Sequence, residues 1–359
     1  MAFFGLFKKE NTIQSTKKGF VDATVTALEK LTEDTIRITF GDDKSHGPLF
    51  QFIPGQYINV SIVLGDNEFI RSYSICSGQH EPISIAVKSV ASGVISNWLN
   101  NELKVGDSIL LSKPQGNFTL NNNDTNVVSI AAGSGITPIM SISKELEQRN
   151  GTMHLFYGSR NLESIVFKDA LSELKRTHTT HFLSREEGEN FESGRITKEA
   201  LIKQIKANLD LLKADVFFIC GPEELIMETR DALKFFGVAD SKIKFELFTT
   251  PVLMKQETAI PTSDFSGIAH VKAILDSEVV DFDLNTAGKT LLEAVEDAGL
   301  DAPYSCKGGV CCSCKAKILK GSASMSMNFS LTDEEIRNGY ILTCQAHPTS
   351  EELTITYDV

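Results

Sequence analysis

Residues 290–314 read TLLEAVEDAGLDAPYSCKGGVCCSC, and the last nine of them decide the fold. Cys306, Cys311 and Cys314 stand in the order C-x4-C-x2-C, and Cys344 follows at a distance. One tight loop presents three thiolates and a later segment returns the fourth, which is the ligand set of a [2Fe–2S] cluster. Gly308 and Gly309 fall where backbone must fold closely and aim N–H groups at sulfur, stabilising the extra negative charge of a reduced cluster. The rival is a structural zinc site, which favours two C-x2-C pairs, and only one is present. Cys312 lies between ligands and is read as a bystander.

Around this loop, AHVKAIL and VVDFDL predict a hairpin, TLLEAVEDAGL a helix, and CKAKIL and LTITYD further strands. Residues 266–359 therefore read as a small α+β domain of the ferredoxin-like, β-grasp kind. Upstream, 251–265 holds two prolines and little periodicity and reads as a linker. Residues 125–250 alternate buried apolar runs (NVVSIAA, HLFYGSR, HFLSREE, VFFICGPEEL) with helical stretches, the pattern of a parallel α/β sheet. Residues 18–124 give short alternating strands separated by Gly, Pro, Asn and Asp, an antiparallel β-barrel. Gly93–Leu103 interrupts them with helical spacing. Residues 1–17 read as a tail, because the apolar Met1–Phe7 precedes Lys8 and Lys9, opposite to the order of a secretory signal.

The 359 residues suit two or three domains. The net charge of −12 argues against nucleic acid, and −7 of it falls in 266–359, where 7 basic residues face 14 acidic ones. That acidity is either a solvated face or a docking surface. Seven cysteines, odd and clustered, do not form a secreted disulfide framework. No window offers the ~20 apolar residues of a membrane span, and a cytoplasmic protein is expected.

Three shorter motifs carry cofactor chemistry. Arg71-Ser72-Tyr73-Ser74 is placed at the start of a barrel strand, where an Arg can neutralise pyrophosphate and a Tyr can pack on a cofactor; alone, it reads more readily as an ordinary strand with an exposed Arg. GVISNWL sets Gly93 and Ser96 at a helix start, where free N–H groups attract phosphate. Gly133-Ser134-Gly135-Ile136-Thr137-Pro138 follows a buried strand and opens a helix, and Cys220-Gly221-Pro222 ends another strand. Its spacing is not the full G-x-G-x-x-G of a Rossmann dehydrogenase. Ser159-Arg160 and Ser184-Arg185 suit a 2′-phosphate and favour NADPH. Glu186 or Glu187 would instead suit the ribose of NADH.

In this order, the motifs resemble the ferredoxin–NADP reductase superfamily carrying a C-terminal plant-type [2Fe–2S] ferredoxin domain, over roughly residues 18–359. The resemblance implies an oxidoreductase with FAD, NADPH and a cluster, turning a two-electron donor into single electrons. It sets Arg71, Gly93 and Ser96 at the FAD pyrophosphate, Tyr73 on the flavin–ribityl region and Ser74 at the flavin N5 edge. Val87 and Lys88 would line the adenosine side. Gly133, Gly135, Thr137, Gly221 and Pro222 would hold the nucleotide, with Cys220 beside the flavin where hydride passes. Reductase first and ferredoxin last is also the order in the reductase component of the ring-1,2-phenylacetyl-CoA epoxidase complex, and MNFSLTDEEIRNGYILTCQAHP (327–348) resembles that group. A diiron oxygenase component is then the expected one-electron acceptor. No H-x-x-E or similar pairing lies on an obvious helix, so oxygen activation would belong to that partner. A general NADPH–ferredoxin-type reductase serving several acceptors, and a redox sensor without turnover, are the other readings.

Overall fold

A computed structural model describes residues 19–41, 51–249 and 265–358. The expected tail 1–17 and all but the last residue of the expected linker 251–265 lie outside the described residues. The first sheet is built from β1 (Phe20–Thr32), β2 (Thr35–Phe40), β3 (Tyr57–Leu64), β4 (Asn67–Ser74), β5 (Ser84–Lys88) and β6 (Ser108–Ser112). Its strands run antiparallel in the order β4-β3-β6-β1-β2-β5, and a bridge between Ile75 and Ile85 joins the two edges into a barrel. Alternate residues such as Ile36, Ile38 and Phe40 fill its interior. Helix α1 (Val94–Asn101) closes one end with Ile95 and Leu99.

The second sheet is wholly parallel. It comprises β7 (Asn126–Ala132), β8 (Thr152–Ser159), β9 (Thr177–Leu183), β10 (Glu192–Ser193), β11 (Val216–Cys220) and β12 (Ile243–Glu246), ordered β10-β9-β8-β7-β11-β12. In β11, Val216, Phe218 and Cys220 face one core while Phe217 and Ile219 face the other, so the strand reads as an unbroken apolar run. Helices α2 (Ile136–Gln148) and α3 (Lys168–Glu173) cover the first face, and α4 (Lys198–Ala207) and α5 (Glu223–Phe235) the second. Cys76, Ala86, Phe118 and Leu120 of the barrel join the first of these cores. The two units are thus welded by apolar packing. Strand order reverses between β7 and β11, which opens a crevice at their carboxyl ends.

The third unit has β13 (Ile268–Leu275) and β14 (Glu278–Asn285) as the expected hairpin, then α6 (Leu291–Asp297), β15 (Lys315–Lys320), β16 (Ala323–Met325), α7 (Asp333–Arg337), β17 (Tyr340–Leu342), β18 (Ala346–Pro348) and β19 (Glu352–Thr356). Its main sheet is ordered β14-β13-β19-β15-β17, with β16 and β18 paired apart. Thr290 and Glu293 form a capping box that starts α6.

Candidate functional site

The barrel and the parallel sheet enclose a cavity of about 530 Å³ between β4, β5 and the start of α1. Arg71, Tyr73, Ser74, Lys88, Gly93, Ser96 and Thr137 line it. The RSYS motif closes β4 instead of opening a strand, because β3 and β4 pair as a hairpin from Leu64–Asn67 through to Tyr57–Ser74. No side chain caps α1 and no acid stands in its first turn, so its N–H groups remain available to an anion. A Cβ at Gly93 would come 2.6 Å from Ser96 Oγ, which itself accepts the Val90 N–H at 3.1 Å. This uncapped cradle with Arg71 opposite fits the pyrophosphate of FAD. Val87 corrects an expectation: strand alternation turns its side chain into the barrel core, fully buried, while its neighbours Ala86 and Lys88 face the cavity.

A second cavity of about 450 Å³ lies over the carboxyl ends of β7, β8 and β11. Gly133, Ser159, Arg160, Ser184 and Pro222 line it, and Lys88 reaches it from the barrel. Beneath it the two glycine motifs touch: a Cβ at Gly135 would lie 2.0 Å from the Cys220 carbonyl oxygen. A Cβ at Gly221 would likewise meet Ala132 N at 3.2 Å. Arg185 is exposed and outside this lining, whereas Arg195 is within it, 3.2 Å from Glu224. The turn after β9 sends Arg185 outward, and the chain returns through β10 to deliver Arg195. Glu186 is occupied too, since its Oε2 accepts the Leu162 N–H at 2.8 Å.

Arg160 has a partner that local sequence does not reveal. Its Nη2 lies 2.8 Å from Asp34 Oδ2, in the turn between β1 and β2, and Lys88 Nζ lies 3.4 Å from the same oxygen. Burial alone would raise the Asp34 carboxyl, but Thr32, Lys88, Thr35 and Arg160 together hold it below its ordinary range. Glu246, at the end of β12, is a further residue missed in the sequence. It pairs in register with Cys220, and Ser74 Oγ donates to its Oε2 at 3.3 Å. Burial pushes this carboxyl up to about 8, opposed by the Ser74 hydrogen bond. Cys220 is wholly buried, and burial followed by the Glu246 charge pushes its thiol well up. An acid terminating the strand KIKFE, beside a second strand ending in Cys-Gly-Pro, was the available signal.

The cysteine loop meets the barrel at a third cavity, about 520 Å³, walled by Arg71, Ser72, Ser74 and Glu246 on one side and by Ser305, Cys306 and Cys311 on the other. Arg71, Ser72, Ser74, Phe248 and Thr249 also line the first cavity, so the two adjoin. The four thiols stand as two pairs, Cys306 with Cys311 and Cys314 with Cys344. Within each pair the partner sulfur pushes one thiol down (Cys306, Cys344) and the other up (Cys311, Cys314). Gly308 N–H donates to Cys306 Sγ at 3.3 Å and Cys306 N–H to Cys311 Sγ at 3.4 Å. The Gly309 N–H serves Cys344. Two sulfur pairs wrapped in N–H groups fit a two-iron cluster; among the described residues no three metal-binding side chains gather around one point as a single ion needs. Positive φ falls at Lys307, Gly309 and Cys312, and not at Gly308. Cys312 stands apart from the pairs, its thiol pushed up to about 11 by burial despite a hydrogen bond with Ser330.

The chain matches an oxidoreductase FAD-binding domain over residues 22–120, an oxidoreductase NAD-binding domain over 130–231 and a 2Fe-2S iron–sulfur cluster binding domain over 274–349. It is 32% identical over 351 residues to one of the subunits of 1,2-phenylacetyl-CoA epoxidase from Escherichia coli K12, covering 94% of this chain and 98% of that one. It belongs to the ferredoxin–NADP reductase superfamily, in the branch with a C-terminal [2Fe–2S] domain. A second relative in that branch is the ferredoxin reductase component of 3-ketosteroid-9-alpha-monooxygenase from Mycobacterium tuberculosis, 32% identical over 86% of each chain. Phthalate dioxygenase reductase shares the fold, with a TM-score of 0.59 over 94% of this chain and 98% of that one at 23% identity. This reductase is therefore an oxidoreductase with FAD, NAD(P) and [2Fe–2S] domains, carrying electrons from NAD(P)H through FAD to the cluster. No described helix is long and apolar enough to cross a membrane.

Proposed function

We propose that this reductase draws electrons from NADPH and delivers them singly to a diiron oxygenase component of the kind that epoxidises phenylacetyl-CoA, in the cytoplasm. The observation that carries the reading is the adjoining pair of cavities, with Ser74 and Arg71 on both walls and Cys306 and Cys311 opposite. The end-to-end match to a component of such an epoxidase supports the choice of partner. Bound FAD supplies the exchange between two-electron and one-electron carriers, and the bound cluster supplies the one-electron exit.

The chain's own residues act as follows. Arg71 and the α1 N-terminus, with Gly93 and Ser96, would hold the pyrophosphate, and Tyr73 and Lys88, on the same cavity wall, would contact the rest of the cofactor. Ser74, bonded to Glu246, would present a hydroxyl at the reactive edge; Cys220 is buried in register beside Glu246 and outside the lining of the three cavities, so the expected place of its thiol beside the flavin is corrected to one behind the wall. Gly133, Gly135, Gly221 and Pro222 shape the nucleotide cleft, with Thr137 on the wall of the first cavity instead, while Ser159, Arg160, Ser184 and Arg195 would meet the ribose phosphate. Cys306, Cys311, Cys314 and Cys344 hold the cluster. The working units are 18–124, 125–250 and 266–359.

The test is reconstitution with the purified diiron component of phenylacetyl-CoA epoxidase and NADPH. Epoxide formation dependent on this chain is expected. A chain that reduces ferricyanide and cytochrome c at full rate yet yields no epoxide would refute the partner assignment.

A further inference from the structure

The buried hydroxyl of Ser313 sits where two domains and one cysteine of the cluster loop converge. Asn59 Nδ2, from β3 of the barrel, donates to Ser313 Oγ at 3.1 Å, and the Tyr57 hydroxyl lies 3.2 Å from the same oxygen. Cys311 Sγ is 3.3 Å from it on the other side. Ser313, Asn59 and Tyr57 are all buried. The Asn59 amide is held in place: Ser72 Oγ donates to its Oδ1 at 2.7 Å, and its backbone N–H donates to Ser112 Oγ at 2.9 Å. Ser72 Oγ also lies 2.7 Å from Ser305 Oγ, at the head of the cluster loop.

Donor and acceptor capacity, together with charge, fixes what this arrangement does. An amide NH₂ can only donate, so Asn59 Nδ2 occupies a lone pair of Ser313 Oγ; the hydroxyl hydrogen is left for Cys311 or for Asn59 Oδ1, which lies 3.5 Å away and already accepts from Ser72. A cysteine that ligates metal is a thiolate, which can only accept. The Tyr57 hydroxyl has a second acceptor within reach, Gln115 Oε1 at 3.2 Å, so it does not require the Ser313 oxygen. With Cys311 as thiolate, the charge on its sulfur at 3.3 Å draws the Ser313 O–H ahead of the neutral Tyr57 and Asn59 oxygens. Hydrogen bonds to ligand sulfur favour the more negative, reduced cluster.

We propose that Ser313 is a positioning residue that tunes the cluster's reduction potential, and that Asn59 of the barrel sets it by aiming the Ser313 hydroxyl at Cys311. Docking of the cluster loop on the barrel thereby raises the potential while the loop faces the FAD cavity. Separation returns the hydroxyl to water, lowers the potential and favours release of the electron. By linkage, reduction tightens docking by the same factor. The inference rests on Cys311 being a ligand, as proposed above.

The test is an EPR-monitored redox titration of the full-length, FAD- and cluster-loaded protein, with iron content measured in parallel. Ser313→Ala should lower the cluster midpoint by about tenfold in the equilibrium constant, ~59 mV for a one-electron couple. Asn59→Ala, in another domain and hydrogen-bonded to no cysteine, should lower it in the same direction. The double variant should fall no further than Ser313→Ala, and Ser313→Thr, which keeps the hydroxyl, should restore the wild-type value. A wild-type midpoint in Asn59→Ala, or additive shifts in the double variant, would overturn the proposal. If Ser313→Ala loses iron, Asn59→Ala and Ser313→Thr decide alone. Absence of iron from the wild-type chain would instead defeat the ligand assignment.

Discussion

Gly135→Ala tests the junction on which both nucleotide motifs depend. Gly135 has φ −61° and ψ −9°, backbone that any residue adopts, so alanine brings no torsional strain. The obstacle is space: the new Cβ would lie 2.0 Å from Cys220 O, 2.4 Å from Cys220 C and 2.9 Å from Gly221 N. All three atoms are backbone and none can swing aside. Relief to 3.0 Å, the least separation that real Cβ atoms show, takes a shift of 1.0 Å between α2 and the end of β11. Overpacking of this kind costs about 1–3 kcal/mol, and for a unit of this size the thermal midpoint should fall by roughly 2–12 °C. Displacement of about 1 Å near reacting groups also costs on the order of 100-fold in turnover. Circular dichroism melting with steady-state NADPH–ferricyanide kinetics reads both effects. Gly133→Ala offers a contrast in mechanism: φ is +55° there and no protein atom lies within 4 Å, so its melting cost is a left-handed strain of about 1–2 kcal/mol with no displacement of β11, and because Gly133 lines the nucleotide cleft only its melting is compared. An unchanged melting temperature and unchanged kinetics in Gly135→Ala would refute the close-approach argument.

Other substitutions separate the remaining assignments. Serine at Cys306, Cys311, Cys314 or Cys344 should abolish or badly perturb the reduced-cluster EPR signal, whereas Cys312→Ser should keep it; equal loss from Cys312→Ser would defeat the assignment. Arg195→Ala should raise KM for NADPH about tenfold with little change for NADH, as loss of one charge-assisted bond predicts, and Arg185→Ala should leave both near wild type. Glu246 has its carboxyl raised from 4.5 to about 8, so its contribution is present at low pH and lost as pH rises through about 8. Glu246→Gln should therefore flatten the fall in melting temperature between pH 5 and 9, and parallel profiles for the two proteins would contradict the buried-carboxyl picture.

What could be read from sequence was whatever chemistry keeps local. Ligand spacing in CKGGVCCSC is set by one loop, and the β11 run VFFIC is apolar throughout because both its faces are covered. Val87 was misplaced because a motif names neighbours while strand alternation divides them between faces. Arg185 looked right by proximity to Ser184, yet the turn after β9 brings Arg195 into the lining instead. Asn59 sits in YINVSIV, and a lone amide in a buried strand was a readable warning; its partner Ser313, 254 positions away, was not. Asp34 and Arg160 are likewise joined only by tertiary folding.

Val310, between two of the proposed ligands, is buried in the same apolar cluster as Phe217 and Ile219 of β11, with Ile243 and Phe245 of β12 packed at its margin. The socket that receives it belongs to the parallel sheet, finished some sixty residues earlier in the chain. During synthesis that socket therefore emerges from the ribosome bare and stays so until the last domain arrives, since domains generally fold in order from the N-terminus. Covering it is worth about 1.5–3 kcal/mol for the valine alone. A nascent or prematurely terminated chain would present Ile243 and Phe245 on the edge strand of an open sheet, a surface prone to self-association. The C-terminal domain is in this respect a lid on an apolar edge of its own chain, and a stop codon in the linker, besides removing all four proposed ligands, would leave that edge bare and the protein prone to aggregate.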